Sequence, residues 1–291
     1  MRLATGLMDN RIVFGPVIGD ELRDIGADGR WTCLADALGE AQRDEVERAA
    51  SRAPLVQLDE LTWLPPIPRP ERILCVGLNY RDHAAESDRA TGPLPARPTI
   101  FTRFPSSIVG HDAPVVRPVA STSFDYEGEL AVIIGATARN VPADHAMDVV
   151  AGYSCCMEGT LRDFQRHTSQ FIPGKNFDRS GSLGPWMVTP DEFDAGNATL
   201  MTRVNGETLQ KAQIGDMIHS VAAVIAYCST FTTLAAGDVI ATGTPGGVGY
   251  ARTPPRWLVA GDVVEVEVSS IGVLRNRVVD ETRLEWQRGR P

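Results

Sequence analysis

The sequence predicts an α+β fold dominated by strands, arranged as a small N-terminal unit and a larger second unit. Short apolar runs recur, such as Ile73-Leu74-Cys75-Val76-Gly77, and Val263 to Val268 alternates valine with glutamate as a half-buried strand does. Strands and helices do not alternate regularly, which disfavours a doubly wound parallel sheet. Leu64-Pro65-Pro66-Ile67-Pro68-Arg69-Pro70 places four prolines in seven residues. Proline fixes φ and removes a donor, so this stretch reads as an extended linker between a small α/β unit at 1–68 and a larger unit at 69–291.

Arg11-Ile12-Val13-Phe14 reads as a strand and Leu34 to Ser51 as an amphipathic helix. Glu127 to Gly135 begins with alternation and ends in a buried-type run. Helical periodicity covers Asp216 to Tyr227, with Met217, Val221, Val224 and Ile225 on one face. Ala236-Gly237-Asp238-Val239 and Ala260-Gly261-Asp262-Val263 echo each other, each turning the chain into a strand. Val263 to Val268 and Val273 to Val279, separated by Ser269-Ser270-Ile271-Gly272, give a hairpin.

With 43% apolar and 22% charged residues, the 291-residue chain can bury a core. Its net charge of -9 argues against nonspecific nucleic-acid binding, since no basic excess exists to displace counterions. Of 28 basic residues all are arginine but Lys175 and Lys211. The five cysteines are scattered without a C-x-x-C, which fits reduced thiols in a cytoplasmic protein. The N-terminus lacks a signal-type apolar stretch and no apolar run approaches bilayer length, so no membrane partner is expected.

The densest chemistry is Phe124-Asp125-Tyr126-Glu127-Gly128-Glu129-Leu130. On a strand, Glu127 and Glu129 share a face, with Asp125 beside them if the strand extends that far. Neighbouring carboxylates repel unless a cation or proton sits between them, and a hard divalent ion such as Mg²⁺ or Mn²⁺ takes oxygen ligands. A solvated strand face is the alternative, as expected for Glu265 and Glu267 at the same spacing. Glu158 ends a strand-like run and offers a third carboxylate, whereas Asp163 beside Arg162 reads as structural.

Four segments, in order between Ile73 and Asp280, resemble the fumarylacetoacetate hydrolase superfamily. Gly77-Leu78-Asn79-Tyr80-Arg81-Asp82-His83-Ala84-Ala85-Glu86 is similar to its catalytic lid, and Asp125 to Leu130 to its metal strand. Gly174-Lys175-Asn176-Phe177-Asp178 with Leu183-Gly184-Pro185-Trp186 is similar to its lysine loop. Gly237 to Gly249, containing Gly243-Thr244-Pro245-Gly246-Gly247, is similar to its C-terminal signature. The resemblance implies a mixed β-sandwich roll, a homodimer, and Mg²⁺ or Mn²⁺ held by Glu127, Glu129 and Glu158. The chain departs from the family pattern at Met157-Glu158, where many members carry Asn-Asp. It departs again at Arg103, where lysine is frequent, and at Ile214-Gly215-Asp216, where many carry Thr-Ser-Asp.

His83 and Glu86, three apart, can meet on one helix face. That is an ordinary surface pair by spacing alone, and a water-activating dyad by the resemblance. Lys175 is expected to stabilise charge developing on a keto acid. Asn79, Tyr80, Arg103, Gln165 and Thr244 are the substrate-binding candidates, with Arg162 bracing the carboxylates. Specificity is assigned to the lid from Arg81 to Pro98, to Arg103 and to Arg166-His167-Thr168-Ser169-Gln170-Phe171. Lys211, His111, His145, His167 and His219 read as surface or structural. The glycine-rich stretch lacks a Gly-Lys-Ser/Thr ending, which excludes a phosphate loop. The activity implied is divalent-metal hydrolysis of a C–C bond in an acylpyruvate or related β-diketo acid. A hydratase, decarboxylase or tautomerase of a 2-oxo acid, and a non-catalytic metal-binding scaffold, are the alternatives.

Overall fold

The computed structural model describes residues 1–40, 43–86 and 96–282. The main sheet runs Leu55–Gln57, Glu21–Arg23, Arg11–Ile18, Arg2–Met8, Gly181–Val188, Val150–Met157, Gly128–Ile134, Val239–Ala241, Ile73–Gly77 and Thr99–Arg103, with Thr62–Trp63 and Ile108–Val109 joined at its side. A second sheet is ordered Glu207–Gln213, Thr199–Val204, Val263–Val268, Gly272–Asp280 and Val115–Arg117.

Gly128–Ile134 is buried along its whole length. Leu130, Val132 and Ile134 face the core shared with Val264, Val266 and Val268 of the second sheet. Ala131 and Ile133 face a second core with Phe14, Trp31, Leu34 and Ile67. The buried-type run in the sequence is thus a strand covered on both faces, as its lack of polar alternation requires.

Residues 1–68 continue the main sheet. Arg2–Met8 pairs antiparallel with Gly181–Val188, in the register Arg2↔Val188 and Leu3↔Met187. The proline-rich stretch differs from a free linker: Pro65, Pro66, Ile67 and Pro70 are buried. Thr5 Oγ1 donates to the Pro66 carbonyl at 2.8 Å, which fixes the stretch against the first strand.

The helix expected over Asp216 to Tyr227 starts later, at Val221, and runs to Phe231. Ser220 sets the start, its side chain accepting the Ala223 N–H. Over Leu34 to Ser51 the structure describes helices Leu34–Glu40 and Arg43–Ala50, with residues 41 and 42 outside the described residues. The two Ala-Gly-Asp-Val echoes form the same turn. Gly237 and Gly261 take φ of 87° and 97°, and Asp238 and Asp262 each accept an N–H from three residues back at 2.9 Å. Val263–Val268 and Gly272–Asp280 form the expected hairpin, and Glu265 and Glu267 are half-buried on its outer face.

Candidate active site

Three carboxylates meet where two central strands pair. Glu129 lies on Gly128–Ile134, Glu127 just before it, and Glu158 just after Val150–Met157. Gly128 pairs with Met157, and Glu158 N–H donates to the Glu127 carbonyl at 2.8 Å. One oxygen from each carboxylate lies within 4.8 Å of the others, and all three side chains are buried. Between the acids, Gly128 presses on the second sheet: a Cβ there would stand 1.9 Å from Thr202 Oγ1.

Asp125 does not join them. Its carboxylate takes Arg162 Nε at 2.8 Å and the backbone N–H groups of Tyr126, Gly249 and Tyr250. The strand breaks at Tyr126, so the alternation that would align Asp125 with Glu127 is lost. Arg162 also pairs with Glu127 at 2.6 Å. Lys175, at the end of the short helix Ile172–Lys175, donates to Glu127 and, at 2.8 Å, to Glu158. Gly174 lets this segment pack closely, since a Cβ there would lie 2.4 Å from the Gln165 nitrogen.

Burial pushes Glu127 up, but Arg162 and Lys175 outweigh it and hold this carboxyl well below its usual range. Burial, with Glu158 and Glu127 beside it, pushes Glu129 well above the ordinary value. Burial lowers Lys175, yet Glu127 and Glu158 prevail and keep it an ammonium. With every group ionised, those in direct contact carry four negative charges (Asp125, Glu127, Glu129, Glu158) and two positive (Arg162, Lys175), leaving -2, an excess that the raised Glu129 carboxyl reduces by holding its proton when no cation is bound. Glu158 Oε1 is buried without a hydrogen-bond partner. An oxygen-only donor set, a deficit of two charges and an orphaned carboxylate oxygen fit a hard divalent cation.

These acids line a cavity of about 210 Å³, together with Val76, Leu78, Phe101 and Phe171. His83 joins the lining from the short helix Arg81–Glu86, with Nδ1 3.6 Å from Glu86 Oε2. That is longer than a hydrogen bond, and both atoms are buried without a partner. Glu86 Oε1 accepts the Gly247 N–H at 2.7 Å, and Tyr250 Oη donates to the Glu86 carbonyl at 3.3 Å, so the glycine-rich loop fixes this helix. Residues 87–95 of the expected lid lie outside the described residues.

Gln165 and Thr244 line the cavity. Gln165 accepts from Arg162 at 3.0 Å, and the Thr244 hydroxyl donates to the Gly128 carbonyl at 2.9 Å. Three substrate-binding candidates stand outside the cavity wall. Asn79 spends its amide on the backbone of Thr242 and His219, at 2.7–3.0 Å. Arg103 donates to Ser107, to the Gly159 carbonyl and to Ser180 Oγ, a bolt behind Glu158 that leaves no fork for a substrate. Tyr80 is buried beside Glu129 with its hydroxyl unpartnered, and burial raises its phenol. Among the described residues no histidine joins a metal-capable cluster, and the five cysteines are free.

Sequence reasoning missed Gln210. It is 1% exposed, donates to Thr244 Oγ1 and the Pro245 carbonyl at 2.8 Å each, and accepts the Gly128 N–H at 2.9 Å. Its strand buries the adjacent pair Leu209 and Gln210, so no alternation marks it. Tyr250 was also missed: Arg162 and Arg166 both stack on its ring, at 4.6 and 4.8 Å.

The human "Oxaloacetate tautomerase FAHD2A, mitochondrial" is 42% identical to this chain over 245 residues, which is 83% of this chain and 77% of that protein. The solved fumarylacetoacetate hydrolase (EaFAH) from psychrophilic Exiguobacterium antarcticum superposes with a TM-score of 0.84 at 37% identity, covering 97% of this chain and all (100%) of that one. A maleylpyruvate hydrolase from Sphingobium sp. SYK-6, solved with manganese(II) ion and pyruvate, gives 0.79 at 31% identity and the same coverage, 97% and 100%. Among the described residues no helix is long and apolar enough to cross a membrane. The family model described as Fumarylacetoacetate (FAA) hydrolase C-terminal matches residues 72–279, and the chain belongs to the fumarylacetoacetate hydrolase family.

Proposed function

We propose that the chain is a divalent-metal-dependent enzyme of 2-oxo acids that hydrolyses the C–C bond of an acylpyruvate-type substrate. The observation that carries this is the placement of His83, with Glu86 behind it, in the same cavity as Glu127, Glu129 and Glu158. Those three glutamates would hold Mg²⁺ or Mn²⁺, which supplies Lewis acidity when bound. His83 takes the proton of a water at the cavity, and Glu86 faces the imidazolium that forms. The Lys175 ammonium meets negative charge developing on the substrate oxygens. Gln165 and the Thr244 segment orient the acid end, and Phe101 and Phe171 exclude water.

A second reading is keto–enol tautomerisation of a 2-oxo acid, favoured by the 42% identity to the human oxaloacetate tautomerase. The same base would then take its proton from the carbon beside the keto group, with no bond cleaved. Metal-loaded protein incubated with acetylpyruvate and with oxaloacetate separates the two. Release of acetate with pyruvate from acetylpyruvate supports hydrolysis, and loss of the oxaloacetate enol by ultraviolet absorbance without cleavage supports the second reading. Full activity of either kind in chelator removes the metal from both. Five free thiols agree with a reducing, cytoplasmic setting. The homodimer implied by the resemblance is proposed too, with the half-exposed Phe104 and Phe231 as apolar surface available to it, and is tested by light scattering.

A further inference from the structure

We propose that Gln210 is a positioning residue for the metal ligands: its amide and the Thr244 hydroxyl clamp the backbone of Gly128, and so set how Glu127 and Glu129 leave the strand toward one ion. This rests on the reading that Glu127, Glu129 and Glu158 hold a divalent metal. Among the described residues Gln210 hydrogen-bonds none of the three carboxylates, and acts on them only through Gly128 and Thr244.

The need for a clamp follows from where a strand ends. Gly128–Ile134 is flanked on one side by Val239–Ala241, in the antiparallel register Ala131↔Ala241. Beyond Ala241 the chain still reaches Leu130, whose carbonyl accepts the Thr242 N–H at 3.0 Å and the Thr242 hydroxyl at 2.9 Å. It then turns away at Gly243, where φ is 102°. In an antiparallel ladder the N–H and C=O of one residue point to the same neighbour, and so do those of the residue two further along. Gly128 therefore turns both groups toward a strand that has ended, in the interior, between two of the three acids. A buried backbone group needs a partner. Side chains take the missing strand's place: Gln210 Oε1 accepts the Gly128 N–H at 2.9 Å, and the Thr244 hydroxyl donates to the Gly128 carbonyl at 2.9 Å.

The polarity of the clamp is fixed. Gln210 Nε2 has two protons and two acceptors, Thr244 Oγ1 and the Pro245 carbonyl, each at 2.8 Å. A flipped amide would set Nε2 against the Gly128 N–H and Oε1 against the Pro245 carbonyl, so one orientation alone satisfies every group. The Thr244 hydroxyl accepts from Gln210, which commits its single proton to Gly128 and leaves none for a substrate. The N–H of Gly128 belongs to the peptide it shares with Glu127, and its C=O to the peptide it shares with Glu129. Each of these two ligands thus has its own holder, Gln210 for one and Thr244 for the other, and the Gln210–Thr244 bond joins the two holders. A glycine between two ligands leaves its own φ and ψ loose, so the angle between the glutamates depends on what grips it from outside.

The test is calorimetric titration of Mn²⁺ into the full-length protein, with Tm in EDTA read alongside. Gln210→Met keeps the length of the side chain without its amide. It is expected to weaken Mn²⁺ binding about 10–100-fold, the usual loss when a group behind a metal ligand is removed. Thr244→Val should lose a similar factor, whereas Thr244→Ser, which keeps the hydroxyl, should hold the wild-type affinity. The double variant Gln210→Met/Thr244→Val should lose little more than the worse single one, because the same ring is broken in each. A role in folding alone would lower Tm in EDTA and leave the Mn²⁺ affinity of the folded protein unchanged, and that result overturns the clamp. Equal affinity in Thr244→Val and Thr244→Ser overturns it too, as do losses that simply add in the double variant. Should Gln210→Met fail to fold, the Thr244 pair decides by itself. A wild type that binds no Mn²⁺ overturns the metal reading and the clamp with it. A wild type that binds Mn²⁺ no more tightly than its variants overturns the clamp and leaves the metal reading standing.

Discussion

Glu129→Gln is expected to remove metal binding and yet leave the metal-free protein at least as stable as the wild type. The Glu129 carboxylate faces Glu127 and Glu158 within 4.8 Å, so at an effective dielectric of about 20 each pair costs at least about 3.5 kcal/mol of repulsion. Attraction to Lys175 acts on Glu129 more weakly than either glutamate does, so at least one such pair is left uncompensated. The amide still accepts the Gly243 N–H, held at 2.8 Å in the wild type, but loses the charge assistance, worth about 1–2 kcal/mol. The net gain in chelator is then about 1.5–2.5 kcal/mol at pH above the raised Glu129 value, and it fades below that value, where the proton already relieves the repulsion. Metal reverses the order. At a hundredfold excess over Kd it stabilises the wild type by about 2.7 kcal/mol, or about 5–10 °C in Tm, and the variant hardly at all. The pH dependence has a definite sign. Glu129 binds its proton more tightly folded than unfolded, so its share of stability is complete below the ordinary carboxylate value. That share is lost as pH rises through the raised one, and the variant should lack this slope in chelator. Scanning calorimetry of both proteins, with EDTA and with Mn²⁺ across pH, checks this. A variant that keeps the full metal-induced rise, or is clearly destabilised in EDTA, refutes the reasoning.

His83→Ala should keep the metal-induced rise in Tm while lowering turnover about 10²–10⁴-fold, and wild-type turnover would take His83 out of the chemistry. Arg103→Ala strands the Gly159 carbonyl and Ser180 Oγ in the interior, so urea unfolding should show a loss of about 3 kcal/mol. A changed KM at unchanged stability would instead return Arg103 to substrate binding. A chain of residues 69–291 alone uncovers the edge of Gly181–Val188 that now pairs with Arg2–Met8, and should aggregate. A soluble, folded fragment by circular dichroism and light scattering would establish the second unit as autonomous.

The parts of the site that were legible lie close together in sequence. Glu127 and Glu129 are two apart, and Glu158 follows the strand that pairs beside them. Lys175 stood out in a chain that otherwise uses arginine. What escaped was long-range. Whether Arg103 faces a substrate or a carbonyl depends on Gly159 and Ser180, 56 and 77 residues away. Asn79 is spent on partners 140 and 163 residues away. Gln210 sits where the Thr199–Val204/Glu207–Gln213 pairing shifts register at Thr202/Arg203, which no alternation rule marks. The strands themselves were easier to read, because a doubly covered strand must be apolar throughout, whereas the helix start at Val221 was decided by one serine hydroxyl.

Gly128 meets Thr202 on the face of its strand that looks to the second sheet, and Glu127 and Glu129 on either side of it project from the opposite face. An ion held by Glu127 and Glu129 would fix the backbone on both sides of Gly128 and so hold this glycine against Thr202. Amide exchange should slow together in Gly128–Ile134 and Thr199–Val204 on adding Mn²⁺, although no residue of the second strand is a ligand. Catalytic competence and the cohesion of the sandwich would then be one equilibrium read at two places.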